Sequence, residues 1–208
     1  QDYAKAAALF QKTAHAGNAY AMYNLGKLYR DGRSVPQDFA KAAALFQKAA
    51  DAGHTYAATD LGLLYKDGRG VPRDNVKAAA LFQKAADAGN ADALCQLGIL
   101  YRYGQGVPQD RAKAAALLQK AADADVPDAM YHLGTLYADG RGVPQDRAKA
   151  AELFQKAADA GNTNAINDLA ILYENGRGVP KNYAKAAELY QKAADAGHTI
   201  ATYNLDVL

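Results

Sequence analysis

Residues 139–162 read DGRGVPQDRAKAAELFQKAADAGN, and residues 67–90 read DGRGVPRDNVKAAALFQKAADAGN. The two texts differ at few letters and stand two periods of 36 residues apart. Lys5, Lys41, Lys77, Lys113, Lys149 and Lys185 occupy one column of this period. Leu25, Leu61, Leu97, Leu133, Leu169 and Leu205 occupy a second, and Pro36, Pro72, Pro108, Pro144 and Pro180 a third. Six copies begin at residues 2, 38, 74, 110, 146 and 182, without insertion or deletion, and the last is cut short. A fixed period of this length is the mark of a repeat architecture, in which one small unit stacks on its neighbours.

Each copy reads as two helices. The first, DFAKAAALFQKAADAG (38–53), is built from strong helix formers and ends at Gly53, the residue type expected just past a helix C-terminus. The second follows at once, as in NADALCQLGILYRYG (90–104). Asn90 suits its N-cap, and in the fourth copy Pro127 suits the first helical position. GRGVPQ (140–145) then joins the pair to the next copy, and its glycines and proline make it a loop. Ala21, Leu25, Leu28 and Tyr29 form an apolar stripe at helical spacing on the second helix. Gly26, Gly62, Gly98 and Gly134 interrupt that helix, where glycine costs about 1 kcal/mol against alanine. Close approach of a neighbouring helix would offset the cost. One pair buries too little to stand alone, so the expected fold is all-α, an α-solenoid of about twelve helices.

The stretch ALCQLGILYRYGQGVPQDRAKAAALLQKAA (93–122) resembles a Sel1-like repeat, a subclass of the tetratricopeptide (TPR) superfamily. The pattern A-x3-L-G-x2-Y-x2-G-x-G-V, then D-x2-K-A, then K-A-A and G, runs through essentially the whole chain. The resemblance implies a right-handed superhelix of antiparallel helix pairs that acts as a scaffold for protein–protein interaction. In the family's frame the LGxxY helix opens each pair. Five pairs then start near residues 18, 54, 90, 126 and 162, within one solenoid over 1–208. An orphan helix precedes them (about 3–16) and another follows (about 199–208). Such ends leave apolar faces uncovered, so the expectation is a fragment of a longer array, with end-to-end self-association through uncapped terminal helices as an alternative structural role. Some relatives are associated with penicillin binding or β-lactamase activity. A peptidoglycan-fragment binder or weak β-lactam hydrolase is therefore the other alternative, but no residue here carries that chemistry over. The chain also departs from the pattern. Ser34 replaces the second loop glycine, Asp125 a helix-ending glycine, and Ala170 and Asp206 the mid-helix glycine. Asp206 would be hard to bury, which points to an exposed last helix.

Composition narrows the partners. Lys plus Arg is 24 and Asp plus Glu 22, interspersed along the chain, so no basic excess favours a nucleic acid. No apolar run approaches the roughly 20 residues of a membrane span. Cys95 is the only cysteine, so it forms no disulfide within the chain, and the compartment stays open. No initiator Met or signal peptide is visible, as in an excised or processed chain.

Only columns that differ between copies can encode specificity. The second helix varies most, and its variable positions at offsets 0, 3, 4 and 7 share one helix face. That face comprises Tyr20, Tyr23, Asn24 and Lys27, then Tyr56, Thr59, Asp60 and Leu63, then Asp92, Cys95, Gln96 and Ile99. Asp128, Tyr131, His132 and Thr135 follow, and then Asn164, Asn167, Asp168 and Ile171. It holds Tyr, Leu, Ile, Thr, Asn and Asp rather than the Lys, Glu and Gln of idle surface, and tyrosine is favoured at interfaces. In TPR-like solenoids this helix lines the concave side, so the expected partner is a protein or peptide. Asp92 and Asp128 are accounted for by the helix dipole. Asp60 and Asp168 remain and point to a basic or amide-rich segment.

Catalytic and metal chemistry find little footing. His54 and His198 start second helices and read as turn or cap residues. His132 with Asp128 at i−4 offers two metal ligands without a third. Cys95 has no histidine in its own copy and reads as a half-buried thiol rather than a nucleophile. Gly68 and Gly70 lack the strand-to-helix setting and lysine of a phosphate loop, so turn geometry explains them. No cofactor, metal or catalytic residue is expected.

Overall fold

The computed structural model describes residues 3–208. Among them twelve α-helices occur and no strand. The helices are α1 (Tyr3–His15), α2 (Ala19–Asp31), α3 (Phe39–Asp51), α4 (Thr55–Asp67), α5 (Asn75–Asp87) and α6 (Ala91–Tyr103). They continue as α7 (Arg111–Asp123), α8 (Pro127–Asp139), α9 (Arg147–Asp159), α10 (Thr163–Asn175), α11 (Tyr183–Asp195) and α12 (Thr199–Val207). The chain divides into two compact units. Unit 1 runs to Leu100 and includes Gly104–Gln109, and unit 2 comprises Tyr101–Tyr103 and Asp110–Leu208. Within each unit the closest packing joins an even helix to the odd helix after it: α2 to α3, α4 to α5, α8 to α9 and α10 to α11.

The repeated letters are consumed in holding these helices. The odd helices from α3 onward start on a capping side chain. Asp38, Asp110, Asp146 and Asn182 each accept the amide of the lysine three residues on, at 2.9 Å, and Asp74 does so at 3.0 Å. That lysine then lies over the tyrosine of the preceding LGxxY helix. Lys41 and Lys77 stand 5.3 Å from the rings of Tyr29 and Tyr65, while Lys113 and Lys149 stand 4.2 and 4.3 Å from Tyr101 and Tyr137. The last two also donate to the hydroxyl, at 2.7 and 2.8 Å. Asp, Lys and Tyr therefore form one clasp across each of the first four loops, whereas Lys185 after the fifth pairs with Glu188. Even helices start on Asn18, His54, Asn90, Asn162 or His198, each accepting an amide three residues on. Val126 makes no such bond, and Pro127 takes the first helical position as its type favours.

The core is narrow and rich in alanine. Ala42, Phe46 and Ala49 of α3 are fully buried, as are Ala78 and Phe82 of α5. The mid-helix glycines face these rings. A Cβ on Gly26, Gly62 or Gly134 would stand 2.6 Å from Cε1 of Phe46, Phe82 or Phe154 respectively. The close approach expected at these positions is thus made by an aromatic ring rather than by helix backbone. Where Ala170 replaces the glycine, the ring column holds Tyr190, which is buried and donates its hydroxyl to Glu174 at 2.6 Å. Ser34 and Asp125 keep the left-handed backbone of the glycines they replace, at φ 63° and 58°. Asp206 is exposed on α12.

Candidate interaction face

The variable residues all lie on even helices, but at three different depths. Tyr20, Tyr56, Asp92, Asp128 and Asn164 stand outermost and exposed. Asn24, Asp60, Gln96, His132 and Asp168 are half-buried, as are Lys27, Leu63, Ile99, Thr135 and Ile171. The column three residues on from the first is split. Tyr23 and Tyr131 are half-buried, whereas Thr59, Cys95 and Asn167 are buried at 5, 1 and 5 % exposure. Those three therefore leave the expected interaction surface, and Cys95 is a buried rather than a half-buried thiol. The reason is reach. A short side chain here ends beneath its neighbours, and only a tyrosine is long enough to bring a polar tip to the rim.

Half-buried polar groups need partners, and these find them one repeat away. Arg30 Nη1 meets Asp60 Oδ2 at 3.0 Å. Lys66 Nζ donates to Gln96 Oε1 at 2.7 Å. Arg102 Nη1 lies 3.0 Å from His132 Nδ1. A guanidinium only donates, so this imidazole nitrogen accepts and the proton sits on Nε2. The spacing is 30 residues each time. The tyrosine column adds a second tie by packing, Tyr23 on the ring of Phe46 at 5.8 Å and Tyr131 on that of Phe154 at 5.9 Å. N-cap residues make a third tie outward. Asn162 Nδ2 donates to Asp128 Oδ1 at 2.8 Å, and His198 Nε2 to Asn164 Oδ1 at 3.1 Å. His54 instead stacks on Tyr23 at 4.3 Å, with Tyr20 and Tyr56 tilted against it at 6.5 and 6.2 Å.

Reading the sequence for variable columns had missed the one that starts these ties: Arg30, Lys66, Arg102, Ala138 and Glu174. A signal was present. Three of the five have a complementary letter 30 positions later, Arg30 with Asp60, Lys66 with Gln96 and Arg102 with His132, whereas Ala138 has none for Asp168. Such matching identifies neighbours rather than a free surface.

Burial raises the carboxyl of Asp60 above its ordinary range, and the positive charge of Arg30 opposes the rise. Burial likewise raises Asp168, opposed by the hydrogen bond from Asn167 and the charge of His198. The phenols above them respond. Tyr23 is pushed up to about 12, first by burial and then by the charge of Asp60, and Tyr131 to about 12 by burial and Asp168. A carboxyl raised in the folded state stabilises the fold fully below its unfolded value, and that contribution is lost as pH rises through the folded value. Asp168→Asn is therefore expected to raise the melting temperature at neutral pH. The gain should vanish below the unfolded aspartate range, about pH 3.9. Equal melting of the two proteins across that range would show that Asp168 bears no such penalty.

Among the described residues no group of three or more His, Cys, Asp or Glu side chains could hold a metal ion. No described helix is long and apolar enough to cross a membrane.

A fixed unit of paired helices, with constant letters spent on clasps and variation gathered on one helix face, defines an α-solenoid repeat protein. The chain belongs to the Sel1 repeat family, whose model matches residues 1–18, 19–54, 55–90, 91–126, 127–162 and 163–198. Among solved structures it is similar to a protective antigen of uropathogenic Escherichia coli strains that displays an SLR fold, with 34 % identity and a TM-score of 0.86. That match covers 96 % of this chain and 43 % of the other, so this chain spans less than half of that relative's length. A Sel1 repeat protein from Oxalobacter formigenes matches at 32 % identity and a TM-score of 0.84, over 93 % of this chain and 79 % of the other. An immunity protein from Pseudomonas aeruginosa matches at 27 % identity and 0.56, over 96 % and 73 %. No curated protein matches the sequence. Sel1 repeat proteins are in general protein-interaction scaffolds, and the solenoid is typically non-catalytic.

Proposed function

We propose that the even-helix face of each unit binds a segment of a protein partner, this chain acting as an adaptor. One observation carries the reading. In unit 1 Tyr20 and Tyr56 are 64 and 58 % exposed, side by side about the cap residue His54, on the face where the repeats differ. Large aromatic side chains left in water at the rim of a fixed scaffold are the residues most enriched at binding hot spots. Their rings lose little conformational freedom on contact, because each turns about only two side-chain torsions. Tyr23, by contrast, is half-buried and packs on Phe46 and His54, so its loss would disturb the scaffold as well as the surface.

The test is a peptide-display selection against the purified chain, followed by titration of the selected peptides. A Tyr20→Ala, Tyr56→Ala double variant should bind them at least about tenfold more weakly, with an unchanged helical circular dichroism spectrum. Undiminished affinity would remove the aromatic rim from the binding surface.

A further inference from the structure

The two units contain the same constellation in two states. In unit 1, Asp60 borders a cavity of about 470 Å³ together with Arg30, Asp31, Leu63 and Leu64, among others. Three repeats on, in unit 2, Asp168 borders a cavity of about 300 Å³ together with Ala138, Asp139, Ile171 and Leu172 at the corresponding positions. Both aspartates and the following leucine recur unchanged, and Ile171 stands for Leu63. The change that matters is at the head of the tie, where Ala138 stands for Arg30. In unit 1 the guanidinium of Arg30 reaches Asp60 at 3.0 Å and Asp31 at 2.7 Å, so it bridges the two carboxylates. In unit 2 no arginine or lysine among the described residues forms an ion pair with Asp168, which accepts a hydrogen bond from Asn167 at 3.1 Å.

We infer that the unit 2 cavity at Asp168 and Asp139 is a receptor for an arginine side chain of the bound protein segment, which takes the place that Arg30 holds in unit 1. The inference rests on the adaptor reading and adds the chemistry of one anchor. Charge supports it. The cavity lining carries two carboxylates and one guanidinium, that of Arg102; Asp139 also meets Arg141 Nε at 3.7 Å, as Asp31 meets Arg33 at 4.0 Å in unit 1 while still binding Arg30 at 2.7 Å. Arg102 is committed elsewhere, to the Nδ1 of His132 at 3.0 Å and to the ring of Tyr103 at 5.1 Å. The apolar walls, Phe154, Ile171 and Leu172, suit the aliphatic stem of an arginine whose head meets the acids. Arginine is favoured over lysine because Arg30 bridges the equivalent pair in unit 1, and a planar fork of donors can meet two carboxylates at once where a point charge cannot. The burial that raises Asp168 leaves this carboxylate with most to gain from a cation.

The same peptide selection tests this at the level of side chains. Peptides selected on the native chain should carry an arginine at one fixed position, and replacing it by citrulline, which keeps the shape without the charge, should weaken binding about tenfold or more. Asp168→Asn should abolish the difference between arginine and citrulline. Ala138→Arg should abolish it as well, by supplying the cation from within, while restoring an ion pair like that of Arg30 with Asp60. Both variants should keep the native helical spectrum. Capped arginine amide, titrated alone, should shift the methyl resonances of Ile171 and Thr135 in the native chain but not in Ala138→Arg. Peptides that bind through Tyr20 and Tyr56 without arginine preference would overturn the inference and leave the adaptor reading standing. Selection of no peptide dependent on the even-helix face would overturn both.

Discussion

Replacing Phe82 by alanine should lower the free energy of unfolding by about 3–5 kcal/mol, measured by equilibrium denaturation of the full chain. Phe82 is fully buried on α5, and its ring lies where a Cβ on Gly62 of α4 would stand. The cost of a large-to-small change depends on how far the surroundings collapse into the void. Here collapse is poor. Gly62 has no side chain to turn inward, and the neighbouring core positions Ala57, Ala78, Ala79 and Ala85 have none with freedom to move. The effect should therefore lie near the upper end of the range, a large share of the 5–15 kcal/mol typical of a folded domain. Phe82→Leu is the informative companion. Leu118 occupies the same column of α7 and is fully buried there, so the column tolerates leucine and the loss should be clearly smaller. A loss below about 1 kcal/mol for Phe82→Ala would mean that the ring does not wedge the two helices apart.

That wedge shows where reading the letters succeeds and where it stops. The 36-residue period, the helix ends at Asn90 and Gly53, and Pro127 at the first helical position follow from local chemistry, and local chemistry is written in adjacent letters. Mid-helix glycine announces a close neighbour for the same reason, since its cost must be offset. It does not announce that the neighbour is Phe82, because that contact joins residues 20 apart. Depth on the variable face was less legible still. Offsets of 0, 3, 4 and 7 give the direction in which a side chain leaves its helix, and they place Tyr23 and Thr59 in one column. They do not tell how far the next repeat rises beside it, so buried Thr59, Cys95 and Asn167 were grouped with half-buried Tyr23 and Tyr131. The acidic character assigned to Asp60 and Asp168 alike separates only once Arg30 is seen at one and Ala138 at the other. Both facts are in the sequence, 30 letters before each aspartate, but only the stacking of repeats makes that distance meaningful.

Gly70→Ala should destabilise the chain by about 2–5 kcal/mol, and the reason is the junction rather than the turn. Gly70 has φ +71°, and a Cβ built there falls inside the backbone of Phe39 and Ala40 at the start of α3. Backbone at a capped helix start has little room to yield, because Asp38 holds the amide of Lys41 and donates its own to the carbonyl of Tyr29. Gly53 separates the two contributions. It has φ +87° with nothing within 4 Å of a built Cβ, so Gly53→Ala should cost only the left-handed conformation, roughly 1–2 kcal/mol. Ser34 and Asp125 show that such a conformation is tolerated with a side chain present. The excess of Gly70→Ala over Gly53→Ala thus measures how tightly one loop seats on the helix start of the preceding repeat. Hydrogen exchange locates it. The amide of Asp74, bonded to the Tyr65 carbonyl at 2.9 Å, closes the same loop and should exchange faster in Gly70→Ala and not in Gly53→Ala. Equal losses for the two variants would place the constraint in the turn itself. The four glycines at this position, Gly70, Gly106, Gly142 and Gly178, all press on the backbone of an earlier odd helix. The recurrence of G-x-G-V-P in these four loops, with Ser34 in place of the second glycine in the first loop, then has a mechanical reading: it sets the rise from one repeat to the next, and with it the alignment of each tie, Arg30 to Asp60 and an incoming cation to Asp168 alike.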